Sequence, residues 1–471
     1  MAQFLKLLFS ITPLILSACS TVKILDLNAI PSNNLSIRGL DKAAAPSFRK
    51  DYLQNKREVK IVYFHGMGWT QKSTNLAVDF TDGIHNYFDS GGEGLTTFSI
   101  AGPCLSDSDR KGFEQSQKGV ELSLENNRSY QTDLSNLSLP TFEAGCIDRQ
   151  VIEPDNSDTR FILYRLFWDN AAWENLQYYH IGYDDSINVE ELPLEYRVVQ
   201  QRKTVNRKLK DQILNHGFGD ATLYLGEAGK NLRDVVKATI CIAATDSISD
   251  SNGFFDEVGN TTSTHDKCSN QEIDNDTPIS FIAESLGSRI LFDVLKEAHF
   301  NRSNPMISNL LATEPEAFLL ANQIALIGLG QLKEVDPGAI QEQSEQSDRR
   351  AKLIAISEKD DILTYEMVPY VHQLNSFRKQ SECTHCTRSF AASNTSGLNQ
   401  ETNLAHAFGF DVVDVRMKFA KPLLGFLPFV ADPSDAHTSH AEQELIMQLI
   451  LCGGHEVNQK TIVNNCKRDK N

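Results

Sequence analysis

The stretch from Thr277 to Ala298, TPISFIAESLGSRILFDVLKEA, most constrains what this chain can fold into. Ile279, Phe281 and Ile282 make a short apolar run that reads as a buried strand, and Ile290, Leu291, Val294 and Leu295 recur at helical spacing just after it. Between the two periodicities lies only Ala283-Glu284-Ser285-Leu286-Gly287. A strand that passes into a helix this abruptly turns sharply, and the turn pushes the hydroxyl of its central serine out of the backbone at the top of a sheet. The positions two residues either side must be small, because the turn brings them together. Ala283 and Gly287 meet that requirement, and Ser288 is small as well.

With 471 residues the chain can hold one large or two ordinary domains, and 41% hydrophobic content with 8% aromatics is that of a globular protein with a sizeable core. The balance of 62 acidic against 45 basic residues leaves a formal net charge of -17. That charge repels phosphates, so no nucleic-acid partner is expected.

The beginning of the chain reads as an address. Lys6 is followed by an apolar run from Leu7 to Leu16, too short for a permanent bilayer span and shaped like a secretory h-region. It ends in Leu16-Ser17-Ala18-Cys19, which resembles a bacterial lipoprotein lipobox. The resemblance implies a signal peptide over residues 1–18 and lipid attachment at Cys19. Ser20, rather than aspartate, then favours an outer-membrane lipoprotein facing the periplasm. Residues 19–57 read as a tether, with Pro31, Pro46 and many charges. No later segment is long and apolar enough for a second span. Setting Cys19 aside, the nine cysteines leave eight, and an even number in an exported chain reads as disulfides. Cys383-Thr-His-Cys386 reads as a structural disulfide, since no second C-x-x-C completes a metal site. Neither metal nor organic cofactor is expected.

The core begins at Val59 to Phe64, a β-branched and aromatic run that leads straight into His65-Gly66-Met67-Gly68-Trp69. Glycines there allow backbone amides to face a cavity, which is what an oxyanion hole needs. Ser73 can cap a helix carrying Leu76, Phe80, Ile84 and Phe88. Arg160 to Trp168 reads as a further strand, and Val199 to Asn215 as a basic amphipathic helix. The roughly 220 residues between His65 and Ser285 exceed what one helix-strand-helix passage needs, and the surplus falls in polar insertions at about 99–157 and 245–276, which read either as a lid or as inert rim. After the serine, Ala351 to Ser357 is a strong short strand ending at Glu358, Asp360 and Asp361, three carboxylates able to orient a histidine. Two histidines, His437 and His440, lie in a loop before a helix at Glu442 to Leu451. Either imidazole can swing towards a serine.

Strand, HG-containing loop, strand, serine elbow and helix, in that order, resemble the α/β-hydrolase family over about residues 58–455. The resemblance implies a mostly parallel sheet flanked by helices with large loop insertions, and a C-terminal tail over 456–471. It selects Asp361 as the acid through a likeness to an SxxND-[IL]-L-[ST]-Y pattern, and His437 as the base because the family's histidine, in the loop before the last helix, is often followed three residues on by a tyrosine or similar aromatic, a place His440 fills. The implied oxyanion donors are the amides of Met67 and Leu286. The implied activity is hydrolysis of an acyl ester by Ser285, His437 and Asp361, on a small-molecule or lipid ester substrate, in a protein held to the membrane by its N-terminal lipid. An acyltransferase would use the same residues, and a catalytically silent fold acting in binding would keep them unreactive. The anchor is testable from sequence alone. Cys19→Ser is expected to abolish fatty-acid labelling and detergent partitioning, and a variant as lipidated as the parent would refute the lipobox reading.

Overall fold

In the computed structural model the described residues are 35–39, 44–45, 58–66, 97–101, 145–153, 160–168, 219–226, 228–245, 254–255, 278–301, 305–328, 351–367, 410–424, 427–431, 436–437, 439–440, 443–452 and 454–455. In chain order they form β1 (Leu35–Gly39), β2 (Ala44–Ala45), β3 (Glu58–Phe64), β4 (Thr97–Ala101), β5 (Gly145–Glu153) and β6 (Arg160–Phe167). Helices α1 (Gly219–Leu225) and α2 (Ala228–Thr245) come next, then β7 (Phe254–Phe255), β8 (Ile279–Glu284), α3 (Leu286–Asn301) and α4 (Pro305–Leu311). The chain continues through β9 (Glu316–Leu320), α5 (Ile324–Gly328), β10 (Ala351–Glu358) and β11 (Phe410–Met417). It closes with β12 (Pro422–Leu424), β13 (Leu427–Ala431), α6 (Glu444–Cys452) and β14 (Gly454–His455).

The architecture is α/β. One sheet of ten strands has the spatial order β1-β11-β10-β9-β8-β3-β6-β5-β4, with β7 beside β5. Its centre, β11-β10-β9-β8-β3-β6, is parallel throughout. Strands buried on both faces read as continuous apolar runs, and EVKIVYF, ISFIAE and AKLIAISE are such runs. Alternate residues serve opposite layers. Val62, Phe64, Ile162, Phe281, Leu319 and Leu353 share a core with Val235 and Ile240 of α2 and Ile290 and Val294 of α3. Ile61, Tyr63, Leu163, Ile282, Phe318 and Ile354 share the opposite core with Ile446, Leu449 and Ile450 of α6.

Strand order decides where a site can form. The chain goes from β3 outward to β6 and then returns to the other side of β3 as β8, after which β9, β10 and β11 add successively away from it. At the C-terminal ends of β3 and β8 the connections therefore leave in opposite directions, and crevices in parallel sheets open at such switch points. His65 and Gly66 follow β3 there, and Ser285 follows β8.

The expected strands at Val59, Arg160 and Ala351 appear within a residue of their expected limits, and the helix after Ser285 runs three residues past Ala298. The regions read as tether and insertions contribute strands as well. β1 lies within 19–57 and pairs antiparallel with β11, while β4 and β5 lie at either end of the 99–157 stretch and extend the sheet antiparallel from β6. Sheet pairing uses main-chain groups that nearly every residue carries, so the polar composition of these stretches did not mark them. The Pro/Gly-rich link before His437 holds the β12–β13 pair. The expected helices at Leu76 to Phe88 and Val199 to Asn215, and the Cys383-Cys386 pair, lie outside the described residues. Among the described residues no helix is long and apolar enough to cross a membrane.

One polar cluster sits inside the helical layer. Tyr224 donates its hydroxyl proton to Asp293 at 2.5 Å, Arg289 Nε donates to the same carboxylate oxygen at 2.7 Å, and Arg289 also donates to the Ile324 carbonyl at 2.8 Å. Burial opposes ionisation of Asp293, but the charges of Arg289 and Lys296 hold its carboxyl below the usual range. Removing one member of a buried ion pair strands the other. Asp293→Ala is therefore expected to lower unfolding free energy by about 3–5 kcal/mol in chemical denaturation. Lys230→Ala, at an exposed pair with Asp234, should change it by less than about 0.5 kcal/mol.

Candidate active site

The site is built on an abrupt turn. Ser285 has φ of 50°, the left-handed region that a residue with a Cβ occupies at a cost, and the turn is held on both sides. The Ser285 amide donates to the Leu320 carbonyl of β9 at 2.8 Å, and the Ser288 hydroxyl donates to the Ala283 carbonyl at 2.9 Å. A small residue is required at Gly287, but the contact that demands it is with the neighbouring strand β3 rather than with the opposite side of the turn. A Cβ on Gly287 would lie 2.3 Å from the His65 carbonyl oxygen and 2.8 Å from that of Phe64. The start of α3 is thus pressed against the end of β3. A Cβ on Gly66 would lie 2.7 Å from the Cβ of Ser285, so the loop after β3 closes on the serine from the other side.

Three residues far apart in the chain meet at this turn. Ser285 Oγ lies 2.9 Å from His437 Nε2, and His437 Nδ1 lies 2.8 Å from Asp361 Oδ2. An ionised carboxylate only accepts, so Nδ1 carries the imidazole proton and Nε2 is left to accept from the serine hydroxyl. Burial opposes ionisation of Asp361, but the hydrogen bond and charge of His437, with donors from the Thr364 hydroxyl and the Leu363 amide, hold its carboxyl below the usual range. The Leu286 amide occupies the first turn of α3, where the helix itself has no acceptor for it. Met67, the other expected oxyanion donor, and Cys19 lie outside the described residues.

The residues that competed for these roles have other work. Glu358 turns back on the backbone: one oxygen accepts from the amides of Phe419 and Ala420 at 3.3 and 3.4 Å, the other from the Asp360 amide. Burial raises its carboxyl above the ordinary range despite those donors. Asp360 makes a long 3.8 Å pair with exposed Lys359 and takes no part in the triad. His440 is fully buried, donates from Nδ1 to the His437 carbonyl at 3.1 Å, and stands edge-on to Phe419 with ring centres 5.0 Å apart. It braces the backbone of His437, and its Nε2 is buried with no hydrogen-bond partner.

His65 is a clamp that the sequence pattern showed only as the start of a glycine loop. Its Nδ1 donates to the Gly66 carbonyl at 2.8 Å, its Nε2 accepts the Trp168 amide at 3.2 Å, and the Trp168 indole donates to the His65 carbonyl at 3.3 Å. The two rings stack at 4.7 Å, 3° from parallel. The ends of β3 and β6 are therefore locked together beside the serine. A tryptophan at the end of the Arg160 to Trp168 run was the available signal, but only tertiary contact assigns its partner.

Among the described residues no cluster of His, Cys, Asp or Glu could hold a metal ion. Compared with known proteins, the chain matches no family model, no curated protein and no solved structure.

Burial lowers both His65 and His440 from the ordinary 6.5 to about 4. The folded form then binds a proton less readily than the unfolded chain, so the stability each contributes is complete above about pH 6.5 and is lost as pH falls towards 4. His440→Asn keeps a donor at the Nδ1 position and removes the titration. The stability difference between parent and variant should shift against the parent by on the order of 2–3 kcal/mol across that window, as read by denaturant unfolding. A difference independent of pH would show that His440 is not held neutral.

Proposed function

We propose that the protein is an exported, lipid-anchored serine hydrolase of the α/β-hydrolase fold that cleaves an acyl ester. The observation that carries this reading is the continuous relay from Asp361 through His437 to Ser285, at 2.8 and 2.9 Å, on a turn held at φ 50°. It is supported by the sheet order, in which the strand before the serine lies between the HG strand and the strands that lead to the acid. A disulfide at Cys241 in α2 agrees with an oxidising compartment.

In the proposed reaction His437 Nε2 takes the hydroxyl proton as Ser285 Oγ attacks the ester carbonyl, and Asp361 stabilises the imidazolium. Negative charge moves to the carbonyl oxygen, where the Leu286 amide and the Met67 amide donate to it. Collapse expels the alcohol, which takes the proton from His437. Water then attacks the acyl-enzyme by the same route and releases the acid. The three histidines divide the work by environment: His437 faces the serine and a carboxylate, whereas His65 and His440 are buried against carbonyls.

A fluorophosphonate tests the constellation as a unit, since it reacts with a serine activated by a base and stabilised by oxyanion donors. The parent should be labelled at Ser285 and Ser285→Ala should not. His437→Ala should lower the rate by at least about a hundredfold, and Asp361→Asn should lower it by leaving the imidazole in the wrong tautomer. A folded parent that takes up no probe would refute the hydrolase reading.

A further inference from the structure

We infer that Asn322 is a positioning residue: it fastens the loop that carries Asp361 to the strand next to the nucleophile, and so aligns the acid with His437. The inference rests on the triad reading above but stands on a different part of the structure. The backbone ladder runs one residue past the strands here, with the Ser285 amide on the Leu320 carbonyl and the Ala321 amide on the Ile356 carbonyl at 3.0 Å. Ala321 has φ of 47°, so a second strained turn lies beside the first. Its consequence is the placement of the next side chain. Asn322 is fully buried, and its Nδ2 donates to the Tyr365 carbonyl at 3.2 Å. The reverse amide orientation would set two acceptors face to face.

Other ties of the acid loop to the sheet lie towards its ends, where the Lys359 amide donates to the Met417 carbonyl at 2.8 Å and Arg416 of β11 pairs with Glu366 at 3.2 Å. Asp361 bonds to Leu363 and Thr364 shape the loop internally, the Asp361 amide meets the Glu358 carbonyl where the loop starts, and the Met367 amide meets Asp414 where it ends. Ile362 and Tyr365 are 68% and 48% exposed, so side-chain packing does little to hold its middle. The Asn322 amide reaches that middle from the end of β9, at the Tyr365 carbonyl. The other end of the same amide supports this reading. Asn322 Oδ1 is buried with no hydrogen-bond partner, an arrangement an apolar side chain would avoid. Replacing Asn322 by leucine removes that orphan acceptor together with the donor to Tyr365. Effects on stability then oppose one another, whereas the effect on Asp361 is uncompensated.

Asn322→Leu and the smaller, polar Asn322→Ser separate these effects. The first readout is the low-field proton of the His437 Nδ1–H to Asp361 bond in proton NMR, identified by its loss in His437→Ala, and the second is the fluorophosphonate labelling rate against pH. We expect the resonance to shift or broaden and the rate to fall roughly ten- to a hundredfold, because small misplacements of reacting groups cost that much, while the thermal midpoint moves by only a few degrees. Ala321→Gly, which keeps Asn322 and relieves the turn, should leave both readouts as in the parent. Unchanged resonance and labelling in both Asn322 variants would overturn the inference. A folded parent without the low-field resonance would also overturn it, since there would be no Asp361–His437 bond to align. A parent that shows the resonance but takes no label defeats the hydrolase reading alone, and the NMR comparison still decides the role of Asn322.

Discussion

The close approach of α3 to the end of β3 is the constraint on which the C-terminal edge of the sheet depends. Gly287 lets the first turn of the helix lie against the carbonyls of Phe64 and His65, and Gly66 lets the loop after β3 lie against Ser285. The two contacts interlock. If either backbone moved away by the radius of a methyl group, the serine would lose its fixed position between the ends of the two strands. The strained φ of Ser285 is affordable because the Leu320 carbonyl holds the Ser285 amide and Ser288 caps the Ala283 carbonyl.

Around that contact the same side-chain chemistry is put to different uses by environment. Three histidines lie near one another along the sheet edge, yet His65 and His440 are buried, with Nδ1 committed to main-chain carbonyls, and only His437 stands between a carboxylate and a hydroxyl. Two carboxylates at the end of β10 part in the same way. Burial raises Glu358, which serves backbone amides, while the His437 interaction outweighs burial for Asp361 and keeps it ionised. A buried acid that is hydrogen-bonded by an imidazole and a hydroxyl is a better orienter than one spread over three amides.

The supports of this edge are main-chain directed. His440 holds the carbonyl of His437, Asn322 holds that of Tyr365, Glu358 holds amides at 360, 419 and 420, and Trp168 exchanges bonds with His65 on both backbone and ring. Such bonds fix where the loops leave the sheet without demanding a regular loop conformation. They also explain why polar residues lie deep at one end of strands that are otherwise apolar.

Much was legible without coordinates. Apolar runs at Val59, Arg160, Ile279 and Ala351 marked central strands because both faces of a parallel sheet are covered, and the small residues around Ser285 marked the turn because sterics leave it no alternative. Other elements were silent for physical reasons. β9 is five residues of Glu, Ala, Phe and Leu, without the β-branched run that announces a strand, and β4 and β5, at the ends of a polar stretch, join the sheet by antiparallel pairing beyond β6. α2 carried helical spacing at Leu232, Val235, Val236 and Ile240 that the polar flanks obscured. A family-like pattern pointed to Asp361 and His437 among neighbours of the same composition, whereas local spacing alone left Glu358, Asp360 and His440 open. The tertiary structure sets Ser285, His437 and Asp361 within hydrogen-bond distance and commits Glu358 and His440 to main-chain groups, because distances between side chains from different strands are fixed only when the sheet forms.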